Sequence, residues 1–246
     1  MSAGRRERIL ITRPREDAEP LASILAEHGM GSLIEPLMRA EVLPGEPLDL
    51  DGVQALIATS ANGVRAFAAR DPRRFLPVCA VGDATARAAR DAGFTQVASA
   101  AGDVEALAAM IAGTCDPGGG AFLHIAGTVS AGDLGGRLRA AGFDYRRAVL
   151  YAMRPAEALS AAAREALGSG CLTGVALYSP RTAALFAELV AAHDLAFACP
   201  ALRAYCLSRA VAEKLAGLSF SARIVAARPD QPAMVEAILA DAASRS

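Results

Sequence analysis

Six segments of this chain close apolar runs with small hydroxyl, glycine and acidic residues. They are TRPRED (12–17), TSANG (59–63), GDAT (82–85), AGTVSAGD (126–133), YSPRT (178–182) and LSR (207–209). Residues of these types cap helices and leave backbone N–H groups open to a ligand. A helix start offers an anion about half a positive charge together with directed donors, so the chemistry suggested is binding of a ligand with several negative groups. Thr59, Ser60, Thr85, Ser179 and Ser208 serve equally well as plain N-caps. Arg13, Arg65 and Arg181, on or just after these loops, either pair carboxylates in bidentate fashion or lie solvated at the surface. Tyr151 is one of four tyrosines and closes the run RAVLY (147–151) just before AMRP. It either plugs a strand end or presents a phenol to chemistry.

Other chemistries find little support. There is no GxGxxG or Walker loop and no Ser/His/Asp signature. His28, His124 and His193 lie far apart with no second ligand at helical spacing, so no metal site is expected. His124, inside AFLHIAG, reads as a hydrogen-bonded core or rim histidine. The chain has 24 Arg but a single Lys, Lys214, which leaves one position for Schiff-base chemistry. The formal net charge is −1 and no basic stripe stands out, so nucleic acid is not the expected partner. Cys79, Cys115, Cys171, Cys199 and Cys206 show no CxxC spacing, which fits a reduced cytoplasmic chain. The early ILI run is too short for a signal segment, and no stretch nears the roughly 18 apolar residues of a membrane span.

The elements that must position the loops alternate. Apolar β-like runs occur at 8–12, 31–36, 53–60, 78–82, 95–99, 121–127, 147–152, 174–179, 203–208 and 222–227, and most are separated by Ala-rich helix-period segments ending in Gly. Such alternation predicts parallel sheets covered by helices on both faces, as two sheets of five strands. TSANGVRAF (59–67) resembles YSPRTAALF (178–186). VGDATARAA (81–89) is echoed by LSRAVAEKL (207–215), which places Lys214 inside a helix. PLASILAEHG (20–29) matches DLGGRLRAAG (133–142). Together the three pairs predict a duplicated α/β unit. Two extended, proline-bearing connectors, 36–52 and 149–159, imply a discontinuous first domain, 1–37 plus 153–246, and an inserted domain, 42–149. Residues 38–41 and 150–152 are then linker strands that pair as a ladder, with a cleft between the units.

Six segments, ILITRPREDAEPLASILAEHG, IEPLMRAEVLP, LIATSANGVRAF, AVGDATARAARDAGF, LRAAGFDYRRAVLYAMRP and LYSPRTAALF, together resemble the uroporphyrinogen-III synthase family, in order and over nearly the whole chain. The resemblance implies two flavodoxin-like domains joined by a two-stranded linker. It implies a cofactor-independent cyclising lyase of tetrapyrrole and haem biosynthesis, cytoplasmic and monomeric. Its substrate, hydroxymethylbilane, carries eight carboxylates, loses its hydroxyl as water and closes with inversion of the last ring, and a transient hand-over from hydroxymethylbilane synthase is implied with it. By motif, Tyr151 is expected to assist departure of the hydroxyl. Thr12, Arg13, Thr59, Ser60, Ala61, Gly82, Thr85, Gly127, Ser179, Arg181 and Ser208 are the expected substrate-binding positions. The segment LSRAV (207–211) departs from the family's Thr-rich turn and keeps only Ser208 as a hydroxyl. Two other classes compete. A bilobal small-molecule sensor would share the two lobes, and a receiver-like phospho-acceptor would need a clustered Asp pair and a supporting Lys, which the strand ends do not supply.

Overall fold

Leu10 points to one face of strand β1 (Arg8–Ile11), Ile9 and Ile11 to the other, and all three are fully buried. A strand apolar on both faces needs a layer on each side, which is the condition of a parallel sheet inside an α/β fold. In the computed structural model, which describes residues 7–129 and 132–245, that condition is met twice. The chain divides into two compact units, Met1–Arg39 with Arg154–Ser246, and Ala40–Met153.

The first unit holds a five-stranded parallel sheet in which β1 lies between β2 (Gly31–Ile34) and β9 (Gly174–Leu177), followed by β10 (Arg203–Cys206) and β11 (Ala222–Val225). Helices α1 (Arg15–Glu27) and α9 (Gln231–Ala243) cover the Ile9 and Ile11 face through Leu21, Leu25, Met234 and Ile238. Helices α6 (Ala161–Gly168), α7 (Pro180–Ala192) and α8 (Arg209–Glu213) cover the Leu10 face through Leu167, Phe186 and Val211.

The second unit is built on β4 (Val53–Ala58), β5 (Val78–Ala80), β6 (Val97–Ser99), β7 (Ala121–Gly127) and β8 (Tyr145–Pro155), parallel and in the order β8-β7-β4-β5-β6. Helices α2 (Ala61–Arg70) and α3 (Asp83–Asp91) pack Val64, Phe67 and Ala89 on one face. Helices α4 (Val104–Thr114) and α5 (Leu134–Ala140) pack Leu107, Ile111 and Leu138 on the other.

This sheet has six strands where five were expected, because β3 (Met38–Val42) adds to the edge of β8. RAVLY and AMRP form one continuous strand of 11 residues, long enough to serve β7 on one side and β3 on the other. Leu43 N–H donates to Leu150 O (2.8 Å) and Ala156 N–H to Leu37 O (2.9 Å), so β3 runs antiparallel to β8. The chain passes from one unit to the other within β3 and returns within β8.

The three similar sequence pairs follow strands that hold equal places in the two sheets. α1 and α5 follow β1 and β7, α7 and α2 follow β9 and β4, and α8 and α3 follow β10 and β5. The second unit thus enters its sheet at the middle strand. Lys214, expected within a helix, instead caps the end of α8, which stops at Glu213. There the chain tightens to three-residue bonds, Lys214 N–H to Val211 O and Leu215 N–H to Ala212 O.

Candidate active site

At the carboxyl ends of the second unit's strands, β4 delivers Thr59 and Ser60 to the start of α2. Ser60 is the N-cap, and its Oγ accepts from Asn62 N–H at 3.1 Å. A Cβ on Gly63 would stand 2.3 Å from Ile125 O, so only glycine lets α2 lie directly on β7. Asn62 is held by Arg65, whose Nη1 donates to Oδ1 at 3.0 Å. The next helix start is Gly82, the N-cap of α3, which offers no side chain to the first-turn N–H groups. Those donors stay open, although Asp83 brings a carboxylate beside them that accepts from Ser99 Oγ at 2.7 Å. Thr85 lies inside α3 and is buried.

Tyr151 sits in β8 opposite Gly127, where the ladder with β7 shifts register. Its carbonyl accepts from Thr128 N–H at 2.9 Å. The ring covers Gly127, on which a Cβ would meet Tyr151 Cζ at 2.8 Å and its hydroxyl oxygen at 3.1 Å. Tyr151 belongs to the buried cluster that holds Leu56, Val64, Ile125 and Leu150, and the residue is 8 % exposed. Gly127 is therefore what admits the phenol to the end of β7. The rest of that strand-end segment is described except for Ser130 and Ala131, which lie outside the described residues, as do residues 1–6 with the early arginines.

A partly buried polar chain centred on His124 lies beside this strand end. Thr59 Oγ1 is 2.9 Å from His124 Nε2, and His124 Nδ1 is 2.6 Å from the Tyr145 hydroxyl. Burial, reinforced by the positive charge of Arg147, pushes His124 down to about 4, so the imidazole is neutral at pH 7. Burial also raises the Tyr145 phenol, against the pull of Arg147 and Arg139.

In the first unit the Thr12 hydroxyl is buried and donates to Ala176 O at 2.8 Å, a bond that ties β1 to β9 and takes this group away from any ligand. Arg13 Nη1 donates to Gln231 Oε1 at 2.9 Å, and its guanidinium lies 4.6 Å from the centre of the Tyr178 ring. Burial pushes the Tyr178 phenol up to about 12, and among the described residues its oxygen has no hydrogen-bond partner. Ser179 caps α7, accepting from Thr182 N–H at 3.1 Å, while Arg181 in the first turn is exposed. Ser208 begins α8 without a side-chain cap bond.

The structure thus gathers Thr59, Ser60, Ala61, Gly82, Gly127 and Tyr151 at strand ends of one unit, and Arg13, Ser179, Arg181 and Ser208 at strand ends of the other. It turns the Thr12 hydroxyl inward and leaves Thr85 buried within the first turn of α3. Tyr145 and Tyr178 were missed by sequence reasoning. A strand-borne histidine with an aromatic phenol 21 residues later carries no local signal, and the position of Tyr178 one residue before a cap serine is the only clue it offered. Among the described residues no group of three or more His, Cys, Asp or Glu is placed to hold a metal ion, and no helix is long and apolar enough to cross a membrane.

The family profile described as uroporphyrinogen-III synthase HemD matches residues 19–236. No curated protein sequence gives a significant match. Among solved structures, the uroporphyrinogen-III synthetase of Helicobacter pylori superposes with a TM-score of 0.62 at 19 % identity, over 96 % of this chain and 99 % of that one. A mutant uroporphyrinogen III synthase of Thermus thermophilus aligns with a TM-score of 0.48 at 18 % identity, over 98 % and 100 % of the two chains. The first of these likenesses supports the α/β fold with parallel sheets.

Proposed function

Because the chain belongs to the uroporphyrinogen-III synthase family, we propose that it converts hydroxymethylbilane to uroporphyrinogen III as a cofactor-independent, cyclising lyase. The observation that carries this reading is the family match over residues 19–236. The fold proposed with it is a pair of flavodoxin-like domains, 1–37 plus 153–246 and 42–149, linked by the β3 and β8 ladder.

The reaction removes a hydroxyl as water, inverts the last pyrrole ring through a spiro intermediate and closes the macrocycle. The proton that leaves with the hydroxyl is balanced by one lost from a pyrrole carbon on closure. Closure without inversion is the spontaneous course in water, so the protein's task is to hold the chain in the productive shape and exclude the other. In this reading Tyr151 donates a hydrogen bond to the departing hydroxyl. A neutral phenol is a weak acid, and a directed bond needs no full proton transfer.

The substrate's carboxylates are assigned to strand-end groups: Thr59, Ser60, Ala61 and Gly82 in one unit, and Arg13, Ser179, Arg181 and Ser208 in the other. Open first-turn N–H groups at α3 and the guanidinium groups of Arg13 and Arg181 suit such anions. Five free cysteines support a reduced cytoplasmic setting, in which a monomer would receive its unstable substrate from hydroxymethylbilane synthase.

The test is product analysis with purified protein and hydroxymethylbilane, without added metal or nucleotide. The type III isomer is expected. Type I alone would overturn the reading.

A further inference from the structure

His124 is a buried titratable side chain of the second unit's sheet, on β7 close to its strand-end loop, and its two ring nitrogens are engaged differently. The 2.6 Å contact from Nδ1 to the Tyr145 hydroxyl has the length of an O–H donor bond, whereas the 2.9 Å contact from Nε2 to Thr59 Oγ1 has that of an N–H···O bond. The surroundings of Tyr145 point the same way. The guanidinium of Arg139 lies 5.0 Å from the ring centre, and Arg147 is close enough for its charge to act on both Tyr145 and His124. Guanidinium groups donate and never accept, and the Asp133 carboxylate acts on the phenol through its charge while accepting from Gly136 N–H, so the phenol's own hydrogen finds its acceptor at Nδ1.

A neutral imidazole that accepts at Nδ1 carries its hydrogen on Nε2 and must donate to Thr59 Oγ1. With that oxygen accepting from His124, the threonine's own hydrogen is turned away from the histidine. We infer that His124 is a positioning residue: it holds the Thr59 hydroxyl as an outward-directed donor, aimed at a carboxylate of the ligand. The chain runs Tyr145 to His124 to Thr59, each hydroxyl or N–H donating to the next. Thr59 then differs from a cap residue, whose oxygen would be spent on the backbone. The Ser60 oxygen beside it is spent in that way.

The ligand part of the inference rests on the hydroxymethylbilane reading; the direction of the chain does not. Nitrogen-15 NMR of selectively labelled wild-type protein at pH 7 reads the tautomer directly, and the hydrogen is expected on Nε2 of His124. A hydrogen on Nδ1 would overturn the inference whatever the activity. Steady-state kinetics test the consequence. Thr59→Val and His124→Phe are expected to raise KM for hydroxymethylbilane about tenfold, more than they lower kcat. His124→Gln, whose amide nitrogen reaches the Nε2 position, is expected to restore most of the loss. His124→Asn, which reaches only the Nδ1 position, is expected not to. Equal behaviour of the Gln and Asn variants would sink the positioning role. If wild type yields only the type I isomer, the functional reading falls and the tautomer still decides the direction of the chain.

Discussion

The Tyr151 ring lies on Gly127, so close that a single added methyl would meet the phenol carbon at 2.8 Å. The pairing couples a side chain of β8 to the backbone of β7 at the point where β7 gives way to its loop. Gly127→Ala must move the phenol while leaving it chemically intact, and Tyr151→Phe removes the hydroxyl while leaving the ring in place. Both are expected to slow turnover at least about tenfold, equivalent to ~1.4 kcal/mol of transition-state stabilisation. Single-turnover measurements with circular dichroism as a control for folding would check this. Full activity of both variants would reduce Tyr151 to packing.

His124 makes stability depend on acid. Its ordinary value of 6.5 falls to about 4 in the folded chain, so the unfolded state takes up a proton that the folded state refuses. The contribution is fully present above pH 6.5 and is lost as pH falls toward 4, by up to ~3 kcal/mol. The groups facing the imidazole are Arg147, Tyr145 and Thr59, with Arg139 and Asp133 acting on Tyr145, and none of the carboxylates pairs with His124 itself. Urea unfolding of wild type and His124→Phe at a series of pH values should show the gap between them narrowing in this window. Parallel curves would contradict it.

A second cluster should matter for stability alone. Asp241 of α9 accepts from the Tyr205 hydroxyl at 2.8 Å and pairs with Arg203 and Arg245, while Arg245 also reaches Glu7 at 2.7 Å. Arg203 begins β10, at the opposite end of the sheet from the candidate residues. Asp241→Ala would leave a buried hydroxyl and a guanidinium without their acceptor, and a loss of ~2–4 kcal/mol is expected. Chemical denaturation measures it, and kcat at 25 °C should stay at the wild-type level.

Ser60 is predicted to act on the helix it caps. Ser60→Ala should cost about 1 kcal/mol and Ser60→Gly only a few tenths, because glycine frees the cap position for water. Thermal unfolding of the two variants would separate them. Equal losses would show that the serine hydroxyl does more than cap.

Much of this architecture was legible because parallel strands write themselves plainly. Runs such as RILI and AFLHIAG are apolar on both faces, and each is followed by a turn residue and a helix period. The serines at 60 and 179 announced their caps in the same way. A strand at 38–41 paired with 150–152 was expected as a linker, and β3 does pair with β8; that it extends the second unit's sheet to six strands was not legible, because β3 is exposed along Arg39–Val42 and has no apolar rhythm. The bond from Thr12 to the neighbouring strand was not legible, because a hydroxyl at a strand end reads identically whether it faces the loop or that strand. That bond depends on packing between elements far apart in sequence, as does the meeting of Thr59, His124 and Tyr145.

The nesting of one unit inside the other has a temporal side. Ile9 of β1 pairs with Gly174 of β9, and between them lies the whole of Ala40–Met153. During synthesis at about 5–20 residues per second, β1 waits on the order of ten seconds for that neighbour while the inserted unit already has all its strands. Loop closure over so long a stretch is also slow unless something shortens it. A finished inserted unit does so, because its ends leave side by side through β3 and β8, delivering the late half of the outer sheet back to its early half.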